Sequence, residues 1–250
     1  MNSLSLDTIE VPHTGRTYSH ERTVRLDAVD PTGRIRLDGL ARLAQDVSSE
    51  DSFESGLDAE LGLTATWLVS RLWMRIDIAP THRESLELVT WCSGVGRSWA
   101  ERRVRVRGSS GAVAEMAALW VLTDTASGRL RRLHPAFMSR YEEAAQGRRV
   151  KGRPLHDPPP AEAESTAWAV RRVDVDVLDH VNNAATWAAA EESGHPVLRE
   201  PLVAEAEYRR PTFGGEVLER QVLSAERSCR TWMVGADGRV RTSLIVEALQ

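Results

Sequence analysis

Apolar and polar residues alternate in long runs along this chain, and in two places the period lengthens from two to nearly four. Residues 19–29 (SHERTVRLDAV) alternate as a half-buried strand does, and the Asp30-Pro31-Thr32-Gly33 sequence after them predicts a type I turn. Leu37, Leu40, Ala41, Ala44 and Val47 then recur at helical spacing through LDGLARLAQDVSSEDSF, with Asp38 as the expected N-cap. From Trp67 the period returns to two in WLVSRLWMRIDIA, ESLELVTWCSGV, RSWAERRVRVRG and AVAEMAALWVLTD, divided by PTHR, GVGR and GSSG turns. Four strands so connected predict an antiparallel meander.

Residues 144–165 lose the alternation and gather Pro, Gly and charge, including three consecutive prolines at 158–160, as a linker does. Beyond it the opening order returns. A strand is expected to run into Asp176, an alanine-rich helix to span about Asn182 to Ser193, and strands to follow in LVAEAEYRR, EVLERQVLSAE, TWMVG and VRTSLIVEAL. Pro80-Thr81 is echoed by Pro211-Thr212, and Arg97-Ser-Trp99 by Arg230-Thr-Trp232, a repeat of roughly 131 residues. The expected division is residues 1–143, a linker over 144–165, and residues 166–250. Each helix must bury its apolar stripe on a sheet, which two sheets set side by side do better than either alone.

Composition narrows the function classes. With 250 residues, 42% hydrophobic and 27% charged, the chain reads as soluble globular material, and no apolar run approaches the roughly 20 residues of a membrane span. The start, MNSLSLDTIEVPHTGR, lacks the basic and apolar regions of a signal peptide, and Cys92 and Cys229 are too few for a disulfide framework, so a reducing cytoplasm is expected. A net charge of −4 and the lack of any nucleic-acid-binding motif argue against nucleic acid as a partner. The histidines show no metal-ligand spacing, and no Gly-rich phosphate loop or Gly-x-Ser-x-Gly elbow is present, so neither a metal nor a nucleotide cofactor is expected.

The chemistry concentrates in residues 171–193, RRVDVDVLDHVNNAATWAAAEES. Asp176 and His180 lie four apart in a polar turn, and Asn182 and Asn183 open the expected helix. A carboxylate can act as general base or nucleophile, and an imidazole can orient water or a carbonyl. The first N–H groups of a helix have no internal partner and can hold an oxyanion. These are the parts of an acyl-transfer site. Each residue also has a plain structural role open to it, since Asp and Asn commonly hold turns and caps. The earlier turn carries Gly33 and Ile35 but no histidine, which points to one working copy. Asp46 and Glu50 read as a solvated helix face, Cys92 and Cys229 as buried thiols, and Trp67, Trp73, Trp91, Trp99 and Trp120 as sheet packing, with the lining of a tunnel as the lesser alternative. Arg129, Arg131 and Arg132 read equally as a solvated loop or a surface for an acidic partner.

The series LDGLARLAQDVS, WLVSRLWMRI, ESLELVTWCSGVGRSWAERR, ALWVLTDTASGRLRRL, DVDVLDHVNN and EYRR, in that order, resembles the acyl-ACP thioesterase family of plants and bacteria. The resemblance implies an α+β fold with two hot-dog units in tandem, and hydrolysis of fatty acyl thioesters of acyl carrier protein or coenzyme A. It further implies an acyl tunnel shaped by the first unit and a site in the second, where Asp176, His180, Asn182 and Asn183 match the family pattern. Leu178 stands where that pattern usually has asparagine, and Pro211-Thr212 where plant members have Glu-Cys, so a carboxylate and an amide are missing from the plant-type network. A non-hydrolytic acyl-thioester binder and a hot-dog 3-hydroxyacyl thioester dehydratase, which pairs a histidine with a helix carboxylate, stay open, as does a homodimer.

Overall fold

The computed structural model describes residues 4, 7–152, 155–199 and 201–249. Ten strands form one antiparallel sheet: β1 (Thr17–Thr23), β2 (Ala65–Ile78), β3 (Ser85–Val95), β4 (Trp99–Gly108), β5 (Val113–Asp124), β6 (Glu164–Ala169), β7 (Leu202–Tyr208), β8 (Val217–Ala225), β9 (Ser228–Val234) and β10 (Val240–Ala248). Their order is β1-β3-β4-β5-β2-β7-β10-β9-β8-β6. Each half contributes five strands in mirrored order, and the halves meet where β2 pairs with β7, from Arg71 opposite Glu207 to Ile76 opposite Leu202. This is the tandem hot-dog arrangement.

The period-3.6 stripe forms helix α1 (Leu37–Glu54), and Leu37, Leu40, Ala41, Ala44 and Val47 are all buried. They share one core with Leu86, Leu88, Val104 and Met116 of the first half and with Trp187, Ala204, Ala206 and Leu244 of the second. Burying a side chain of that size contributes about 1.5–3 kcal/mol, and a core crossing the β2–β7 seam binds the halves together. The helix ends at Gly56, whose φ of +74° suits a residue without Cβ. Its N-cap is Arg36, not the expected Asp38, which lies in the first turn and accepts from Arg36 Nε at 2.9 Å. Two short helices, α2 (Leu57–Leu61) and α3 (Pro135–Tyr141), close the far end of the first half; α3 carried no expectation.

Gly39 sits where α1 meets the first turn. A Cβ there would lie 2.9 Å from Ala28 O and 3.0 Å from Ala28 Cβ. Glycine to alanine in a helix ordinarily stabilises by about 1 kcal/mol, but here the collision with backbone reverses the sign. Gly39→Ala is expected to destabilise the protein by about 1–3 kcal/mol, read as a lower urea midpoint at unchanged m; a stabilised variant would refute the close packing.

The second half departs from the expected replay. No strand runs into Asp176: β6 ends at Ala169, and a 3-10 turn at Arg172–Asp174 leads to an isolated bridge between Val175 and Val181. The expected helix from Asn182 to Ser193 is a 3-10 turn at Ala185–Trp187 joined to one α turn, α4 (Ala188–Glu191). Fifty positions separate Asp30 from Pro80, but only thirty-five separate Asp176 from Pro211. The missing residues come out of the helical segment and out of the following strand, since β2 has 14 residues and β7 has 7.

Candidate functional site

The two acidic turns fold alike. Asp30 N donates to Arg34 O and Gly33 N to Asp30 O; in the second half Asp176 N donates to His180 O at 2.8 Å and Asp179 N to Asp176 O at 3.0 Å. Gly33 and Asp179 both take positive φ, +86° and +59°. Asp30 Oδ1 accepts from Thr32 N, and Asp176 Oδ1 from Leu178 N at 2.9 Å. Leu178 thus serves the turn through its backbone, which any residue type supplies. The second oxygen of Asp176 has only a long contact, 3.4 Å, from Asn182 Nδ2, so it keeps lone pairs for other work.

Beyond the turns the two halves diverge. Leu37 N, the first amide of α1, donates to Glu191 Oε1 at 2.6 Å, and Glu191 Oε2 accepts from Arg34 Nη2 at 2.8 Å. Burial pushes the Glu191 carboxyl above its usual range, while Arg34 and the Leu37 amide pull against it. The first turn is therefore plugged by a carboxylate from the second half. Asn183 is the counterpart of Leu37, and its N–H has no acceptor among the described residues. Asn182 instead caps the shortened helix, its Oδ1 accepting from Ala184 N at 2.9 Å.

Asn183 is anchored through the next peptide along, the one it shares with Ala184. Its carbonyl accepts from Thr186 Oγ1 at 2.7 Å and Tyr208 Oη at 3.0 Å, and Tyr208 Oη accepts in turn from Trp187 Nε1 at 3.0 Å. Burial drives the Tyr208 phenol far above its ordinary range, so it stays a neutral donor. Tyr208 belongs to the EYRR stretch, but no sequence signal marked it as part of the site.

Asp176, His180, Asn183 and Tyr208 line one cavity of about 280 Å³. The Asp176 carboxylate and the His180 imidazole do not bond each other; each side chain reaches the cavity separately. The imidazole meets Phe213 edge to face, with centroids 5.0 Å apart and planes at 77°, and neither ring nitrogen has a hydrogen-bond partner among the described residues. Pro211 and Thr212 line the same cavity, so no carboxylate enters from that strand end; Thr212 O serves the turn by accepting from Val181 N. Val69, Asn183 and Tyr208 also border a neck of about 20 Å³, roofed by Ala41, Ala44 and Gln45 of α1. Ser48, Arg102 and Trp120 link that neck to a far chamber of about 160 Å³. The shared walls set the three cavities side by side, from the Asp176 turn, under α1, into the first half.

The two thiols and Arg131 have structural surroundings. Burial pushes the Cys92 thiol up to about 11, and Cys229 is buried as well. Arg131 is tied to Thr64 O at 2.9 Å. On the sheet face away from α1 the fold gathers His156, Glu205 and Glu207, a trio that sequence spacing could not reveal. Its hydrogen-bonding capacity is largely taken. His156 Nδ1 pairs with Ser243 Oγ at 2.9 Å and Nε2 with Glu205 Oε1 at 3.0 Å, while Glu207 accepts from the N–H groups of Leu155 and His156 and from Arg209. The trio fastens the Pro-rich segment onto β7 and β10. Trp99 Nε1 to Val150 O and Trp232 Nε1 to Asp157 O, both 2.9 Å, continue the seam.

Profiles of the acyl-ACP thioesterase N-terminal domain and of the acyl-ACP thioesterase C-terminal domain match residues 15–141 and 158–244. An uncharacterized protein of Mycobacterium tuberculosis (strain H37Rv) is 29% identical over 219 residues, 86% of each chain. Two solved structures share the fold. A candidate oleoyl thioesterase from Lactobacillus plantarum superposes with a TM-score of 0.79 at 19% identity, covering 96% of this chain and 100% of that one. The 12:0-ACP thioesterase from Umbellularia californica gives 0.77 at 19% identity, covering 94% and 98%.

Proposed function

This chain belongs to the acyl-ACP thioesterase family and is a thioester hydrolase, and we propose that it cleaves fatty acyl thioesters of acyl carrier protein at the Asp176 turn. The observation that carries the assignment is the difference between the two turns: the amide closed off by Glu191 at Leu37 is open at Asn183, beside Asp176 and His180 in one cavity. The thioester carbonyl oxygen takes its place at the Asn183 N–H, which stabilises the tetrahedral oxyanion. Asp176, through its less engaged oxygen, removes a proton from the attacking water. His180 orients that water and the carbonyl. The new C–O bond forms, the C–S bond breaks, and the carrier leaves as a thiolate that takes up a proton. The acyl chain lies in the cavities under α1, so the first half shapes the tail site and the second supplies the chemistry.

An outer cavity of about 580 Å³ adjoins the site; Arg210 and Arg239 border it, together with Arg71 and Arg209, which share the Glu207 carboxylate that also lines it. That cationic rim suits the phosphate of a pantetheine arm and the acidic surface of a carrier protein, and favours acyl carrier protein as the donor. The dehydratase reading needs a helix carboxylate facing the histidine. At the neck α1 presents Ala41, Ala44, Gln45 and Ser48, while Glu50 is engaged by Arg22 and His20. The reading lacks its acid.

Purified protein assayed with panels of acyl-ACP and acyl-CoA should release free thiol well above blank, faster from the carrier-protein esters. Formation of enoyl product without thiol, or no turnover of any thioester, would overturn the assignment. Tyr208→Phe tests how the backbone at Asn183 is held. The ring stays in the core while the hydroxyl that fixes the Asn183 carbonyl is lost, so kcat should fall about tenfold with KM nearly unchanged. An equal loss from KM alone would mean that Tyr208 only shapes the pocket.

A further inference from the structure

The mouth of the Asp176 cavity carries an apolar lip that neither the turn nor the core requires. Val173, Val177, Leu178, Phe213 and Val217 are exposed, from 46% for Leu178 and Phe213 to 101% for Val177. They sit on two segments fastened together beside the site. Val181 N donates to Thr212 O at 2.8 Å and Val170 N to Glu216 O at 3.0 Å, and the His180 ring meets Phe213. Single exposed apolar residues are ordinary, but a cluster around an opening marks a contact surface. The first turn supplies the comparison. It has the same hydrogen bonding and a plugged amide, and at the matching positions it carries Asp27, Pro31, Thr32 and His82; its exposed Leu26 answers to Arg172. The lip therefore goes with the open site and not with the turn geometry.

Cationic groups flank it. Arg172, Arg210 and Arg239 are exposed, and their guanidinium groups have no partner among the described residues, whereas Arg171, Arg209 and Arg241 are held by Asp174, Glu207 and the pair Glu216 and Asp237. Arg210 lines the Asp176 cavity together with Leu178, and Arg239 borders the outer cavity. Against these three stands Asp179, an exposed acid with no basic partner among the described residues. An apolar centre with a net positive rim fits a partner whose contact face is acidic around apolar side chains. We propose that Val173, Val177, Leu178, Phe213 and Val217 dock the protein part of the acyl carrier, with Arg172, Arg210 and Arg239 steering its acidic face. This rests on the reading that acyl-ACP is the substrate and that its thioester reaches Asn183. The lip gives affinity that salt does not screen, and the arginines give an approach rate that salt does screen. A free pantetheine ester has no protein surface for the lip to bind, so the lip acts only on carrier-bound chains.

The test compares one fatty acyl chain presented on acyl carrier protein and on pantetheine alone, as thioesters for kcat/KM and as non-hydrolysable thioethers for Kd. Val173→Ser combined with Val177→Ser changes two side chains that do not wall the Asp176 cavity. The pair should lower kcat/KM for the carrier ester about tenfold, through KM and by the same factor at low and high salt, and weaken the carrier thioether equally; the pantetheine compounds should be unaffected. Arg172→Gln combined with Arg239→Gln should lower the carrier value at low salt and lose its effect at high salt. Equal losses on carrier and pantetheine compounds, or none on either, would overturn the proposal. So would binding to vesicles containing an anionic phospholipid, or self-association, that the serine pair abolishes while the carrier compounds keep their values; the lip would then serve a bilayer or a second copy. Hydrolysis of the pantetheine ester with no measurable binding of the carrier sinks the docking surface alone. Binding of the carrier thioether through the lip with no hydrolysis of either ester sinks the catalytic reading alone.

Discussion

Asp176→Asn is expected to lower kcat/KM for acyl thioesters by about 10²–10⁴-fold, the range lost with a general base, while leaving the unfolding midpoint nearly unchanged. The substitution separates two jobs of one side chain. Asp176 Oδ1 holds the turn by accepting from Leu178 N, as Asp30 does with Thr32 N in the half whose amide is plugged. An asparagine oxygen can make that same bond, so the turn survives, but a neutral amide cannot take a proton from water. Asp176→Ala removes both functions and should add a stability loss of about 1 kcal/mol. Steady-state kinetics with thermal unfolding of both variants checks this. An Asn variant retaining more than about a tenth of the activity would show that Asp176 only shapes the turn.

The largest loss of stability is expected at Glu207. Glu207→Ala leaves the N–H groups of Leu155 and His156 without their acceptor, and Arg209 and Arg71 without a carboxylate they face beneath the Pro-rich segment. Removing one partner of a buried ion pair costs about 3–5 kcal/mol, a fall in Tm on the order of 10 °C for a chain of this length. The pH dependence has a definite sign. Burial pushes this carboxyl up, but the Leu155 amide, His156 and Arg209 outweigh it and hold Glu207 below its usual range. A depressed carboxylate contributes its full stabilisation above the unfolded-state pKa of about 4.3 and loses it as the pH falls through the lower folded value. The difference in urea midpoint between wild type and Glu207→Gln should therefore be constant near neutrality and shrink below about pH 4. A difference that grows on acidification would refute the assignment.

The strands and α1 were legible in the sequence because both rest on periodicity, but the expected meander was not the pairing order: β2 pairs with β5 and β7, not with its sequence neighbour β3. Strands from Ser85 to Asp124 alternate with a buried face, and the α1 stripe repeats at 3.6. The second helix misleads, since alanine has high intrinsic propensity and the repeat invites a helix of equal length. Spacing held the correction: the shorter interval from Asp176 to Pro211 leaves room for little more than two turns of mixed helix. Of the four residues expected at the site, the fold brings Asp176, His180 and Asn183 to one cavity and gives Asn182 to the helix cap. Tyr208 reads only as an inward position of an amphipathic strand, because what marks it is a partner far away in sequence. Glu205 and Glu207 likewise read as the solvent face of β7, and only the crossing of the Pro-rich segment buries them.

The pairing of β2 with β7 has a bearing on how the molecule behaves when dilute. The small cavity under α1 is walled by Ala44 and Met116 from one half and by Asn183 and Tyr208 from the other, so it exists only while the halves stay together. Because a single polypeptide carries both, their association is a unimolecular event whose effective concentration is set by the tether and not by the amount of protein. A pocket assembled from two separate subunits would come apart below its dimerisation constant; this one persists at any dilution.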